Sequence, residues 1–283
     1  MPRTSLLVVT GVAFLLCFGI GIVDLFQAWL NIPDAAHGLL IAPVAIWLAW
    51  RDGLVPHPQP TLWTGSAIVA LAVILSVLGR SAGVETVPRV ALLIALVGLT
   101  IWYAGWRQVV AWWLPFVLLA LTIPLPESVI AAATLPLQGV AAKMGAWLLS
   151  LRHIPVMLSG NVIRLPGHTL FVSEACSGLR SLTALVSMAI LIGALFLRTL
   201  IGRVLVLLLA VALAVVVNGF RVFLTGFLVY FVDPKLGEGF MHLSEGYLLF
   251  LVSLSILALL TWLFVRLETR WAPSSSASTK ETR

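Results

Sequence analysis

From residue 204 to residue 217 every side chain is Val, Leu or Ala. Such a run is apolar on all sides, which neither a half-buried strand nor a surface helix of a water-soluble domain can accommodate. Its flanks bring it near the roughly 20 apolar residues needed to cross a bilayer, and comparable windows recur along the chain. Of the 283 residues, 61% are hydrophobic and 10% charged. Soluble domains lie nearer half apolar and a quarter charged. The chain therefore reads as an all-α, polytopic integral membrane protein, since a helix satisfies its own backbone in lipid.

About eight transmembrane helices are expected, near 5–26, 37–50, 63–79, 90–106, 109–123, 178–197, 203–221 and 243–265. The first lacks a small-residue cleavage site and is followed by more spans, so it reads as a retained anchor rather than a signal peptide. The second is short and interrupted by Pro43. Pro124 and Pro126 close the fifth span. Residues 127–151, with Pro136 and Lys143, read as a helix at the membrane interface. Residues 156–165 read as two β-prone runs around Ser159-Gly160-Asn161, and 168–173 as a further extended piece. A single domain over 1–270 and a disordered, Ser-rich tail over 271–283 complete the expected organisation.

Short loops carrying Arg51, Arg107, Arg198 and Arg203 mark the inner side, and the first outer loop has Asp34 with no Lys or Arg. Both termini are thus expected in the cytoplasm, which puts Cys176 at the outer face. The net charge of +6 comes from Lys and Arg spread singly among loops. That fits membrane lipids as partners and no nucleic acid. Cys17 lies in the first span, so a disulfide with Cys176 is not expected. No Cys/His grouping has metal-ligand spacing and no phosphate-binding glycine loop occurs, so neither metal nor cofactor is expected.

Chemistry concentrates in three places. Cys176 precedes an apolar run starting at Leu182, so it falls near a helix N-terminus. Free N–H groups and the positive end of the dipole favour a thiolate there. Arg180, one turn on, adds positive charge as a supporting residue. Arg221 lies roughly 18 residues into the span that begins near residue 203, about 27 Å of helix, and so reaches the face where Cys176 lies. An arginine among Phe220, Val222 and Phe223 is a functional candidate by default. His242 precedes the last apolar run on the same side. A thiolate nucleophile, an imidazole and a fixed cation suit acyl transfer. Asn218 and His37 are further supporting candidates, Asn218 for orienting a side chain or a substrate carbonyl.

Ala175-Cys176-Ser177-Gly178-Leu179-Arg180-Ser181, then Asn218-Gly219-Phe220-Arg221, then His242, resemble the three signature blocks of the exosortase/archaeosortase family. The similarity extends to Ile123-Pro124-Leu125-Pro126, to residues 160–166 and to His37-Gly38-Leu39-Leu40, covering roughly residues 30–265. The resemblance implies a bacterial inner-membrane cysteine protease and transpeptidase. Its substrates would be exported proteins ending in a Pro-Glu-Pro-like motif, a transmembrane stretch and a basic tail. It implies an acyl-thioester on Cys176, with Arg221 and His242 at the remaining catalytic positions. Archaeal relatives place Arg where this chain has His242, so the resemblance leaves the division of roles between those two open.

Two other classes fit part of this pattern. A non-catalytic component of exopolysaccharide assembly or export would use the same polar residues to line a path. A small-solute transporter would show internal repeats or paired broken helices near mid-membrane. No convincing repeat is visible here. The oligomeric state is not legible.

Overall fold

A computed structural model describes residues 3–172, 177–233 and 239–271. Cys176 and the expected tail from residue 272 onward lie outside the described residues. The helical membrane architecture expected from the sequence is what the chain adopts. Among the described residues, seven helices are long and apolar enough to cross a membrane. Large apolar side chains cover their outer faces, among them Leu16, Trp63 and Leu208. In water such a surface would be an aggregation hazard; lipid is the solvent it suits. The chain divides into two compact units, residues 1–126 and 127–283.

The first unit holds α1 (Arg3–Asn31), α2 (Gly38–Asp52), α3 (Leu62–Ser81), α4 (Thr86–Ala104), α5 (Trp106–Ala111) and α6 (Trp113–Leu121). Its core gathers Phe18 and Leu25 of α1, Ala72 of α3, and Ala91, Leu92 and Ala95 of α4. Small residues let α3 and α4 approach closely: Gly65 lies against the Trp102 backbone and Gly98 against Val69. Gln108 is fully buried. Its Oε1 accepts from the Val55 N–H at 2.8 Å and its Nε2 donates to the Gly53 carbonyl at 3.1 Å. It thereby pins the turn after α2 to α5.

Two of the expected spans take a shorter form. The span expected over 37–50 is a 15-residue helix with Pro43 inside it, about 22 Å long. The one expected over 109–123 is split into α5 and α6 at Trp112. Pro115 accounts for the break, because it offers no N–H to the Ala111 carbonyl and its ring crowds that turn.

The second unit holds α7 (Glu127–Leu151), β1 (Met157–Ser159), β2 (Val162–Leu165), β3 (His168–Phe171), α8 (Leu179–Phe196), α9 (Leu200–Phe231) and α10 (Gly239–Trp271). The segment expected at the interface is thus a 25-residue helix among the seven that meet the crossing criteria. It does not lie apart. Gly145 packs against Val222, Gly219 against Met144 and Gly226 against Leu149, so α7 runs alongside α9 in the same direction. The β-prone segment forms an antiparallel sheet of order β1-β2-β3, with Leu158 opposite Ile163 and Ile163 opposite Leu170. Ile163, Leu165 and Val172 pack on Ala142, Leu149 and Val222, so the sheet sits over the C-terminal halves of α7 and α9. Helix α8 returns antiparallel to α9 through Leu185, Ala189, Val206 and Ala210. Helix α10 is also antiparallel to α9: Gly246 meets Arg221, and Glu268 meets Gly202 near the other end.

Candidate active site in the second unit

At about 100° per residue, four consecutive positions of α9 point to four surroundings. Asn218 faces Gly178 before α8, Gly219 faces Met144 on α7, and Arg221 faces Gly246 on α10. Phe220 is 43% exposed and stacks on Phe223 at 5.6 Å between ring centroids. The block Asn-Gly-Phe-Arg is therefore the point where α9 touches three other helical segments within one turn.

Gly178 has φ +82° and ψ 4°, a left-handed conformation that L-residues adopt at a cost of about 1–2 kcal/mol. A Cβ there would also stand 2.6 Å from Asn218 Cγ. Glycine is thus required twice, by the backbone and by the close approach of a side chain that is only 6% exposed. Ser177, 4% exposed, accepts the Leu179 N–H on Oγ at 3.3 Å, satisfying one of the free donors at the start of α8. Ser181 Oγ donates to the Gly178 carbonyl at 3.0 Å. Ser177, Gly178, Asn218 and Ala141 border a cavity of about 10 Å³, room for about one water. Cys176 is the residue before Ser177 in the chain.

Arg221 is half-buried, and a Cβ at Gly246 would lie 3.2 Å from its Cζ. The guanidinium therefore rests on the α10 backbone, where any larger residue would displace it. Thr225 Oγ1 donates to the Arg221 carbonyl at 3.0 Å from the next turn. His242 lies on α10 one turn before Gly246; its side chain is outside the described residues.

One expectation about Arg221 changes. The sequence places it at the end of a span, whereas α9 continues ten residues further, to Phe231. The 32-residue helix is about 48 Å long, well beyond the roughly 30 Å hydrocarbon core. Arg221 lies about 32 Å from its start, and the remaining turns carry Phe223, Phe227 and Tyr230 against the sheet. The small sheet covers those turns.

The structure thus brings Asn218 to the segment that follows Cys176, and Arg221 to the helix that carries His242. Arg180 occupies the first turn of α8 and is exposed. His37 belongs to the first unit, where it precedes α2 and its Nε2 is 2.9 Å from the Leu121 carbonyl. Sequence reasoning missed Ser177, Met144 and Gly246. Gly246 carried a readable signal, because a glycine within the opening turns of an apolar helix marks close approach of something else. Among the described residues there is no group of three or more His, Cys, Asp or Glu able to hold a metal ion.

No curated protein and no solved structure matches the chain. The model of one family, described as transmembrane exosortase (Exosortase_EpsH), matches residues 29–259. That match spans most of the chain, including both units and all three blocks just described. The chain belongs to the transmembrane exosortase family.

Proposed function

We propose that this protein is a cysteine transpeptidase of the bacterial inner membrane that cleaves a C-terminal sorting signal from exported proteins, with Cys176 as nucleophile. Family membership supports a membrane sorting transpeptidase in general; the residues and the substrate motif are our reading. The observation that carries it is convergence. Gly178 on Asn218, and Arg221 on Gly246, draw the segments bearing Cys176, Arg221 and His242 to one end of the second unit.

The Cys176 thiolate attacks the carbonyl carbon of the scissile peptide bond, near a Pro-Glu-Pro-like motif ahead of the substrate's transmembrane stretch. Charge builds on the carbonyl oxygen, and a fixed cation within hydrogen-bond reach lowers that barrier. The C–N bond then breaks, and the departing amine takes a proton from a general acid. The acyl group remains as a thioester on Cys176 until water or an amine attacks it, restoring the thiolate. Arg221 and His242 supply the cation and the proton between them. Asn218 positions the Cys-bearing segment through Gly178. The site faces the extracytoplasmic side, and both termini are cytoplasmic.

Co-expression with a protein bearing the tripartite tail, followed by mass spectrometry of the product, tests this. Wild type should release the tail while Cys176→Ala, inserted at the same level, should not. Processing that survives Cys176→Ala sinks the mechanism. Loss of exported polysaccharide with no change in any protein C-terminus favours the assembly-component alternative instead.

A further inference from the structure

The first unit contains a cavity of about 340 Å³, unrelated to the residues proposed for catalysis. Its walls are apolar: Ile22 and Phe26 from α1, Ile46 from α2, Leu92 and Leu96 from α4. One charged residue, Arg89, also lines it. Arg89 stands in the opening turn of α4 and is only 7% exposed. Its Nη2 donates to Glu85 Oε2 at 2.7 Å, but Glu85 itself is 77% exposed. Its Nε is buried with no acceptor among the described residues.

A guanidinium sunk in hydrocarbon, with one solvent-facing carboxylate and a spare donor, is an expensive arrangement that marks a ligand site by default. The walls are oily almost throughout, with the buried Arg89 side chain at one end. From Arg89 to Leu96 the groove follows α4 for about 10 Å, and Arg89 stands near the end of that helix. That is the shape and polarity of a phospholipid. A phosphate would complete the guanidinium's donors, while an acyl chain would lie along Leu92, Leu96, Ile22 and Ile46.

We propose that this groove is a binding site for an anionic phospholipid whose phosphate is held by Arg89. Net negative charge is preferred because a zwitterionic headgroup brings its own cation to compete with the guanidinium. Glu85 acts as a resident competitor for the same cation, and its exposure lets it swing away when a lipid phosphate arrives.

The test uses the full-length protein in nanodiscs of equimolar phosphatidylglycerol and phosphatidylcholine, with retained lipids counted by native mass spectrometry. Wild type should retain phosphatidylglycerol over phosphatidylcholine by roughly fivefold, the factor expected of one cation near a membrane surface. Arg89→Gln should abolish that preference. Glu85→Gln should raise it, an effect that a purely structural ion pair would not produce. Leu93→Trp fills the groove and should lower retention with Arg89 intact, so a misfolded Arg89 variant leaves the question answerable. Equal retention of the two lipids by wild type, or an unchanged preference in Glu85→Gln, overturns the proposal. So does displacement of phosphatidylglycerol by excess inorganic phosphate, which would mark a free-anion site, or by an apolar transmembrane peptide, which would mark a helix-docking groove.

Discussion

Asn218 Cγ lies so close to Gly178 that a methyl group on the glycine would stand 2.6 Å from it. The contact joins α9 to the turn that opens α8, two residues after Cys176. It also makes the Cys-bearing segment sensitive to a change as small as one carbon.

Gly178→Ala should therefore reduce processing by more than tenfold while the protein still inserts. The left-handed backbone contributes about 1–2 kcal/mol and the clash adds to it. Pairing it with Asn218→Ala removes the contacts with Cγ and Nδ2 but leaves that with Cβ, 2.8 Å from the added methyl, and the backbone strain. The double variant should be more stable to heat in detergent than Gly178→Ala alone, which a double-mutant cycle reads directly. Additive losses would mean that the two residues do not communicate.

Gly246 offers a probe of Arg221 that leaves the arginine in place. Gly246→Val puts side-chain carbons where the guanidinium rests, 3.2 Å from Cζ for the first of them. Processing should fall to the level of Arg221→Ala, with membrane insertion unchanged. Gly246→Ala should be milder, because the end of a flexible arginine can shift by a few tenths of an ångström. Wild-type turnover in Gly246→Val would remove Arg221 from the reaction.

The extracytoplasmic placement can be read chemically. In a chain with Cys17→Ala and Cys176→Ala, a new cysteine at Gly160, in the exposed turn between β1 and β2, should react in intact spheroplasts with a membrane-impermeant maleimide. Reaction only after lysis would put the sheet in the cytoplasm and reverse the proposed orientation.

At the other end of the second unit, Glu268 of α10 accepts the Arg198 N–H at 2.8 Å and the Thr199 N–H at 3.2 Å, just before α9 begins. Thr199 Oγ1 in turn accepts the Gly202 N–H at 3.0 Å as the cap of α9. Glu268→Ala should lower stability by about 1 kcal/mol, the order of a hydrogen bond lost. A thermal melt in detergent should show a drop of a few degrees with processing intact at low temperature. An unchanged melting temperature would show that solvent meets those donors equally well.

Much of this architecture was legible because membrane helices announce themselves by length and composition, and the hairpin by Ser159-Gly160-Asn161. The motif blocks were legible too, as clusters of polar and small residues inside apolar context. Lys143 and Pro136 suggest an interfacial helix over 127–151, and they hide its packing along α9. That packing rests on Gly145 and Ala142, whose role appears only once α9 is beside them. The end of α9 was misplaced for a similar reason. Arg221 looks like a boundary to hydropathy, whereas the sheet gives the turns after it something to pack on. Gly246 as the seat of Arg221 needed two helices from distant parts of the chain, and no periodicity within either one encodes that pairing.

The packing of α10 on α9 has a consequence for biosynthesis. Arg221 finds its seat at Gly246 only when α10 has left the ribosome and entered the bilayer. Until then the segments carrying Cys176 and Arg221 can be inserted without the one carrying His242. On the proposed mechanism a nascent chain that lacks α10 is thus a silent precursor, and α10 acts as its timer.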